Sequence, residues 1–153
     1  MVGLLEKGGH IEPDAGRIIR SALASSKKVA SDTLTPLEEF VSAKTTSTVS
    51  EVLKLMGSSN HTRLPVFDDD KEEFVGAITF RSVSRAIADG RFDDLASGYM
   101  GQAARVESDD SVAVIMDRMQ KAGTSIVFVY DEERMVGMVT LTDILEQLLG
   151  IRI

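Results

Sequence analysis

Thr140 and Asp143 stand three residues apart where an apolar run gives way to a helical pattern, and Gly137 lies three residues before the threonine. A short hydroxyl and a carboxylate at that spacing have two uses. They can accept from the orphan amides of a helix start, or they can accept hydrogen bonds from the hydroxyls of a ligand, the carboxylate from two at once. The same step occurs earlier as Gly76, Thr79 and Ser82, with serine in place of the acid. Serine accepts a hydrogen bond but lacks the charge that makes such bonds strong. Arg63 offers a guanidinium fork suited either to phosphate oxygens or to the acidic turn Asp68-Asp69-Asp70. Other chemistries are poorly supplied. The chain has no cysteine, which excludes thiolate catalysis and thiol-based metal sites. Only His10 and His61 could exchange protons near neutral pH, and there is no Gly-x-x-x-x-Gly-Lys phosphate loop.

The elements that must position these residues come as two matched stretches, Thr48 to Ser82 and Asp110 to Asp143. Val49, Val52, Leu53 and Met56 recur as Val112, Ile115, Met116 and Met119, the spacing of one apolar helix face. Leu64-Pro65-Val66-Phe67 recurs at the same offset as Val127-Phe128-Val129-Tyr130, a strand pattern. Beyond the acidic turn the offset shortens by two residues, so Gly76 and Thr79 match Gly137 and Thr140. A second hairpin two residues shorter than the first accounts for the change. Each copy reads β-α-β-β-α. The expected fold class is α+β, with tandem repeats packed through their sheets about a pseudo-twofold axis and sharing a core.

Thr48-Val49-Ser50-Glu51 is a capping box that opens the first repeat helix, and Gly57-Ser58-Ser59-Asn60 ends it. Phe74 to Phe80 reads as a strand and Ser82 to Ala88 as a helix. Asp93 to Met100 is expected to be a helical connector. Thr142 to Leu149 closes the second copy and stops at Gly150. Ahead of the repeats, a linker helix is predicted from Pro13 to Ala24, with Ile18, Ile19, Ala22 and Leu23 on its apolar face. Leu34 to Ala43 reads as linker and short strand, because Pro36 bars helix continuation. The chain divides into an N-terminal linker with helix (1–33), a first repeat (34–95) and a second repeat (96–153).

The 153 residues carry a net charge of −7 and 43% apolar residues. That balance suits a globular core. It argues against nucleic-acid binding, which draws on Lys and Arg at phosphates. No apolar run nears the roughly 18 residues of a membrane span, and Met-Val-Gly-Leu-Leu-Glu-Lys becomes charged too early for a signal peptide. Asp68-Asp69-Asp70 and Asp131-Glu132-Glu133 read as solvated hairpin tips without the spacing of a calcium loop, so no metal site built from protein ligands is expected.

In its repeat architecture and in Gly137-Met138-Val139-Thr140-Leu141-Thr142-Asp143, the chain resembles a CBS-domain pair, or Bateman module. Four further stretches resemble the cytosolic region of the CorB/CorC and cyclin M (CNNM) magnesium-transport family. They are Arg17-Ile-Ile-Arg-Ser-Ala-Leu, Thr33-Leu-Thr-Pro-Leu-Glu-Glu, His61-Thr-Arg-Leu-Pro-Val-Phe and Val136-Gly-Met-Val-Thr-Leu-Thr-Asp-Ile-Leu-Glu. The resemblance runs from about Ile11 to Gly150. It implies that the Gly-to-Asp step binds the ribose of an adenine nucleotide, with Thr140 and Asp143 at the sugar hydroxyls. Gly137 would leave room for backbone to approach, and Met138 would touch base or sugar. Thr35, His61 and Thr62 would face the nucleotide and Arg63 its phosphates, although the family often carries an aromatic residue where this chain has His61. With Ser82 in the first copy, the cleft carrying Asp143 is expected to be occupied and the other empty or weak.

A chain of net charge −7 should resist a bare nucleotide polyanion. Mg²⁺ on the phosphates cancels two charges and prefers phosphate oxygens and water to protein cages, so the expected ligand is Mg-ATP. The leading expectation is a non-catalytic regulatory module at the cytoplasmic face of the cell membrane. It would form a homodimer through its CBS pairs, with Leu37 and Phe40 among the candidate contacts. It would be an excised or minimal segment, joined through its N-terminal helix to a magnesium (divalent cation) transport domain in the membrane that is absent from this chain. The alternative is an AMP- or ADP-sensing pair that regulates a soluble enzyme, where Thr140 and Asp143 serve equally. A nucleotide hydrolase would lack a positioned base or metal cage to activate water. A purely structural scaffold is the fourth reading.

Overall fold

A computed structural model describes residues 17, 18, 21, 22 and 25–150. In chain order its elements are α1 (Ala30–Thr33), β1 (Thr35–Pro36), a 3-10 turn (Leu37–Glu39), β2 (Ala43–Lys44), α2 (Val49–Ser59), β3 (Arg63–Asp68) and β4 (Glu73–Thr79). There follow α3 (Phe80–Ala88), a second 3-10 turn (Ala96–Gly98), β5 (Ala104–Glu107), α4 (Val112–Ala122), β6 (Ile126–Asp131), β7 (Arg134–Thr140) and α5 (Leu141–Leu149). The chain falls into two compact units. One spans Glu38–Ala103; the other joins the described residues up to Leu37 to those from Ala104 onward. Each holds one β-α-β-β-α repeat, the α+β tandem pattern expected from the sequence.

In the unit holding the first repeat, the sheet order is β2-β3-β4, with β2 parallel and β4 antiparallel to β3. The amide of Glu51 donates to Thr48 Oγ1 at 3.2 Å and the amide of Thr48 donates to Glu51 Oε1 at 3.0 Å, so the capping box forms. Asn60 ends α2 with φ 58°, a left-handed conformation that asparagine tolerates. The helix places Val49, Val52 and Met56 against Leu64, Val66 and Ile78 of the sheet, with Val83 and Ala86 of α3 closing the cluster. Fully burying each of the larger side chains is worth about 1.5–3 kcal/mol.

The unit holding the second repeat has the sheet order β1-β7-β6-β5. Val112, Ile115, Met116 and Met119 of α4 pack on Val127, Val129 and Val139, with Ile144 from α5. The two hairpins match in detail. Each carries a bulge beyond the valine that faces its glycine, after Val66 opposite Gly76 and after Val129 opposite Gly137. The first turn bridges Asp68 to Glu73 and the second Asp131 to Arg134, which is the two-residue difference inferred from the offset.

Three features differ from the sequence reading. First, the compact units cross the linear division 1–33, 34–95 and 96–153, because the segment before the first repeat packs with the second. Ala30 is fully buried in the second-repeat core. The amides of Ala30 and Ser31 donate to the carbonyls of Asp110 and Ser108 at 2.9 and 3.0 Å, and β1 pairs with β7. Second, the connector over Asp93 to Met100 forms only a single 3-10 turn. Its backbone groups are engaged elsewhere: Ala96 N donates to Ser47 O at 2.7 Å, Asp94 O accepts from Val49 N, and Gly101 exchanges two hydrogen bonds with Ala77. A helix there would forfeit all of them. Third, Phe40 packs edge-on against Phe74, with ring centroids 5.3 Å apart, and is half-buried inside its own unit. Of the predicted linker helix from Pro13 to Ala24, Arg17, Ile18, Ser21 and Ala22 are described and helical; Ile19, Leu23 and the remainder lie outside the described residues.

Candidate functional site

In the second-repeat unit, β7 runs out at Thr140 and α5 begins at once. The amide of Asp143 donates to Thr140 Oγ1 at 3.1 Å and the amide of Thr140 donates to Asp143 Oδ2 at 3.0 Å. The two residues therefore form a capping box, one of the two uses open to them from spacing alone. The box uses only Oδ2 of the carboxylate. Both side chains are half-buried.

Thr35 joins them through the sheet. β1 lies antiparallel to β7, with Thr35 opposite Met138 and Pro36 opposite Gly137. Directly paired residues and those two apart along a strand share a face. Thr35, Met138 and Thr140 therefore occupy one face of this edge, opposite the face on which Val139 is buried. Gly137 makes the pairing possible. A Cβ there would collide with the Thr35 carbonyl oxygen and come within 2.9 Å of Leu34 Cδ1. The backbone that approaches Gly137 is thus the chain's own β1. Gly76 plays the same part in the other unit, where a Cβ would lie 2.5 Å from the Gly101 carbonyl oxygen.

The remaining expected residues lie in the first-repeat unit. The left-handed turn at Asn60 redirects the chain from α2 into β3, placing His61 and Thr62 just ahead of Arg63. Arg63 pairs with Thr79 across the hairpin, and Thr62 O accepts from Phe80 N at 2.7 Å. His61 and Thr62 are exposed and Arg63 is half-buried. His61 and Thr62 line a pocket of 210 Å³ with Leu53, Met56, Gly57, Asn60 and Phe80. Phe80 escaped the sequence reading. Its signal is a large apolar residue at the first position of α3, one turn before the buried Val83; it is itself 47% exposed. The candidates therefore form two sets, Thr35, Met138, Thr140 and Asp143 in one unit and His61, Thr62 and Arg63 in the other.

The counterpart step in the first repeat differs as its sequence does. Ser82 N donates to Thr79 Oγ1 at 3.2 Å, and Thr79 Oγ1 donates to Ser82 Oγ at 3.3 Å. The first turn of α3 carries no acid. Among the described residues, no group of three or more His, Asp or Glu side chains gathers as a metal cage, and no helix is long and apolar enough to cross a membrane.

The CBS domain family matches residues 30–89 and 100–150. The UPF0053 protein YhdP of Bacillus subtilis (strain 168) is 24% identical over 147 residues, which cover 94% of this chain and 33% of that protein. The chain thus spans about a third of the length of the curated relatives it matches. A hemolysin-like protein containing a CBS domain from Oenococcus oeni PSU superposes with a TM-score of 0.77 at 24% identity, covering 86% of this chain and 98% of that one. The CBS domain of the bacterial CNNM/CorC family Mg²⁺ transporter, solved in complex with ATP, superposes with a TM-score of 0.75 at 19% identity, covering 91% and 99%.

Proposed function

On the premise that the chain belongs to the CBS-domain family and carries two copies, we propose that it is a non-catalytic regulatory module that binds Mg-ATP and controls an attached magnesium transport domain. The observation that carries this reading is the Thr140–Asp143 box with Thr35 beside it on the Gly137 edge. The box satisfies the helix start with one carboxylate oxygen. Oδ1 and the Thr140 hydroxyl then serve the two ribose hydroxyls, while Thr35 and Met138 border the base and sugar. For Arg63, His61 and Thr62, which lie in the other unit, a part at the phosphates rests on the family resemblance alone. Mg²⁺ is held by phosphate oxygens and water, which it prefers to protein cages. It offsets the charge that a chain of −7 presents to the ligand.

Two comparisons support the transport link. The similar fold solved with ATP is the CBS domain of a Mg²⁺ transporter, and the curated relatives are about three times as long as the stretch matched here. The remainder of such a protein would hold a membrane domain, with this module at the cytoplasmic face. Two modules would pair as a homodimer through their CBS units, with Leu37, 37% exposed, as a contact. Nucleotide then biases transport by its differential affinity for two arrangements of that dimer. Calorimetry with ATP, ADP and AMP, each with and without Mg²⁺, tests the reading. Saturable ATP binding that weakens at least tenfold in EDTA is expected. Equal ATP affinity in EDTA overturns the Mg-ATP assignment, and tighter binding of AMP favours a sensor of nucleotide charge state.

A further inference from the structure

In the first-repeat unit, away from Asp143, α3 carries Arg81 and Arg85 one turn apart, and Arg91 follows beyond its C-terminus. All three line a groove of 350 Å³ between α3 and the connector, together with Ser82, Asp89 and Tyr99. Three cations against one carboxylate is a local reversal of sign in a chain of net charge −7.

The fold gives these arginines little to do. Arg91 lies 3.7 Å from Asp94, whose carboxylate also accepts the Tyr99 hydroxyl at 2.6 Å, so that acid is engaged in holding the connector. Arg81 and Arg85 take part in no ion pair among the described residues, and both are exposed. Like charges at i and i+4 repel. Arg81 also sits at the positive end of the helix dipole, where no acid of the first turn offsets it. Asp89 is the one acid lining the groove, so an anion held there would relieve the repulsion between the two guanidinium groups.

Ser82 fits such an occupant. Where the second repeat has a carboxylate that would repel an anion, this position has a hydroxyl. Thr79 donates to Ser82 Oγ, which leaves the serine's own proton free to donate into the groove. We infer that this groove binds a diphosphate group, recognised through the paired guanidinium forks of Arg81 and Arg85 with Ser82, without any need for a ribose. Guanidinium geometry matches phosphate oxygens two at a time, and residues at i and i+4 stand about 5–6 Å apart, a span that two linked phosphates bridge. The source is either inorganic diphosphate or the tail of a nucleoside diphosphate.

The test titrates inorganic diphosphate, in EDTA at low salt, into the full chain and three variants. Arg81→Ala/Arg85→Ala removes the proposed contacts. Lys54→Ala/Lys71→Ala makes the same charge change in the same unit outside the groove. Asp143→Ser reports on the other repeat. Saturable binding by the full chain is expected, weakened roughly tenfold or more in the arginine variant and less than threefold in the lysine variant. Alanine is the best helix former, so circular dichroism should show α3 intact in the arginine variant. Absence of saturable binding, equal loss in the lysine and arginine variants, or loss confined to Asp143→Ser overturns the inference. ADP titrated into Asp143→Ser separates the sources. Affinity equal to that of diphosphate assigns the site to the phosphates alone. Tighter binding that also needs the arginines assigns it to a nucleoside diphosphate, and tighter binding that ignores them overturns it. Since neither titration requires ATP at Asp143, failure here leaves the Mg-ATP reading standing, and the reverse holds too.

Discussion

Replacing Asp143 by serine rewrites the second repeat's step as the first repeat's, and the structure allows both consequences to be estimated. The fold loses the hydrogen bond from Thr140 N to Asp143 Oδ2, seen at 3.0 Å. What is left is shown by the other copy, where Ser82 N still reaches Thr79 Oγ1 at 3.2 Å and the cap is one-sided. The loss should be about 1 kcal/mol, or roughly 2–4 °C in Tm for a chain of this size. Ligand affinity should fall further. A hydrogen bond to a charged acceptor contributes about 1.5–3 kcal/mol, so removing the proposed grip on the sugar should weaken binding roughly 10- to 150-fold. Thermal denaturation without nucleotide reads the first quantity, and calorimetry with Mg-ATP reads the second. If Tm drops as estimated while Kd stays within twofold, Asp143 caps a helix and nothing more, and the ribose assignment fails. Ser82→Asp is the reciprocal experiment and should add a cap without restoring a site that has lost Asp143.

The two glycine environments predict opposite outcomes for one substitution. Gly137→Ala drives a methyl into the Thr35 carbonyl and should cost about 1–3 kcal/mol, with faster amide exchange along the β1–β7 pairing; Gly57→Ala, in helix α2 with nothing within 4 Å, should gain about 0.5–1 kcal/mol. Unchanged Tm in Gly137→Ala would refute the close approach. Glu51 is held below the usual carboxylate range by the Thr48 amide and hydroxyl. A depressed folded-state pKa contributes stability above the ordinary value of 4.5, lost as pH falls through the folded value, so the gap in urea midpoint between wild type and Glu51→Gln should close in acid. A gap independent of pH would count against the box. Tyr99 is raised above 10.0 by its hydrogen bond to Asp94, and Asp94→Ala should bring its phenolate absorbance titration back toward that value. No change would mean the 2.6 Å contact is not formed in solution.

Much of the fold was legible because its signals are local. The face of α2 shows in Val49, Val52 and Met56, and that of α4 in Val112, Ile115, Met116 and Met119, since helical spacing is written within one or two turns. The repeat exposed itself through a constant offset, and the shift of that offset measured the hairpin turns before any coordinate did. The acceptor pair at Thr140 and Asp143 was visible for the same reason, because a cap depends on residues three apart.

Other features rest on partners far along the chain, which no local pattern encodes. Nothing near Ala30 or Thr35 says that they complete the second repeat, because an edge strand of two residues takes its identity from the strand it meets, here across Gly137. The connector carries a composition compatible with helix, yet its amides and carbonyls are drawn to Ser47, Val49 and Ala77. Phe80 and the arginines beside it take their setting from the turn at Asn60 and from the connector at Gly98 to Met100, next to which pockets open. Sequence alone therefore determined the repeat, its caps and the residue types able to grip a sugar. Tertiary structure decided which segments share a sheet and where charge collects, since backbone pairing and electrostatic fields act through space, not along the chain.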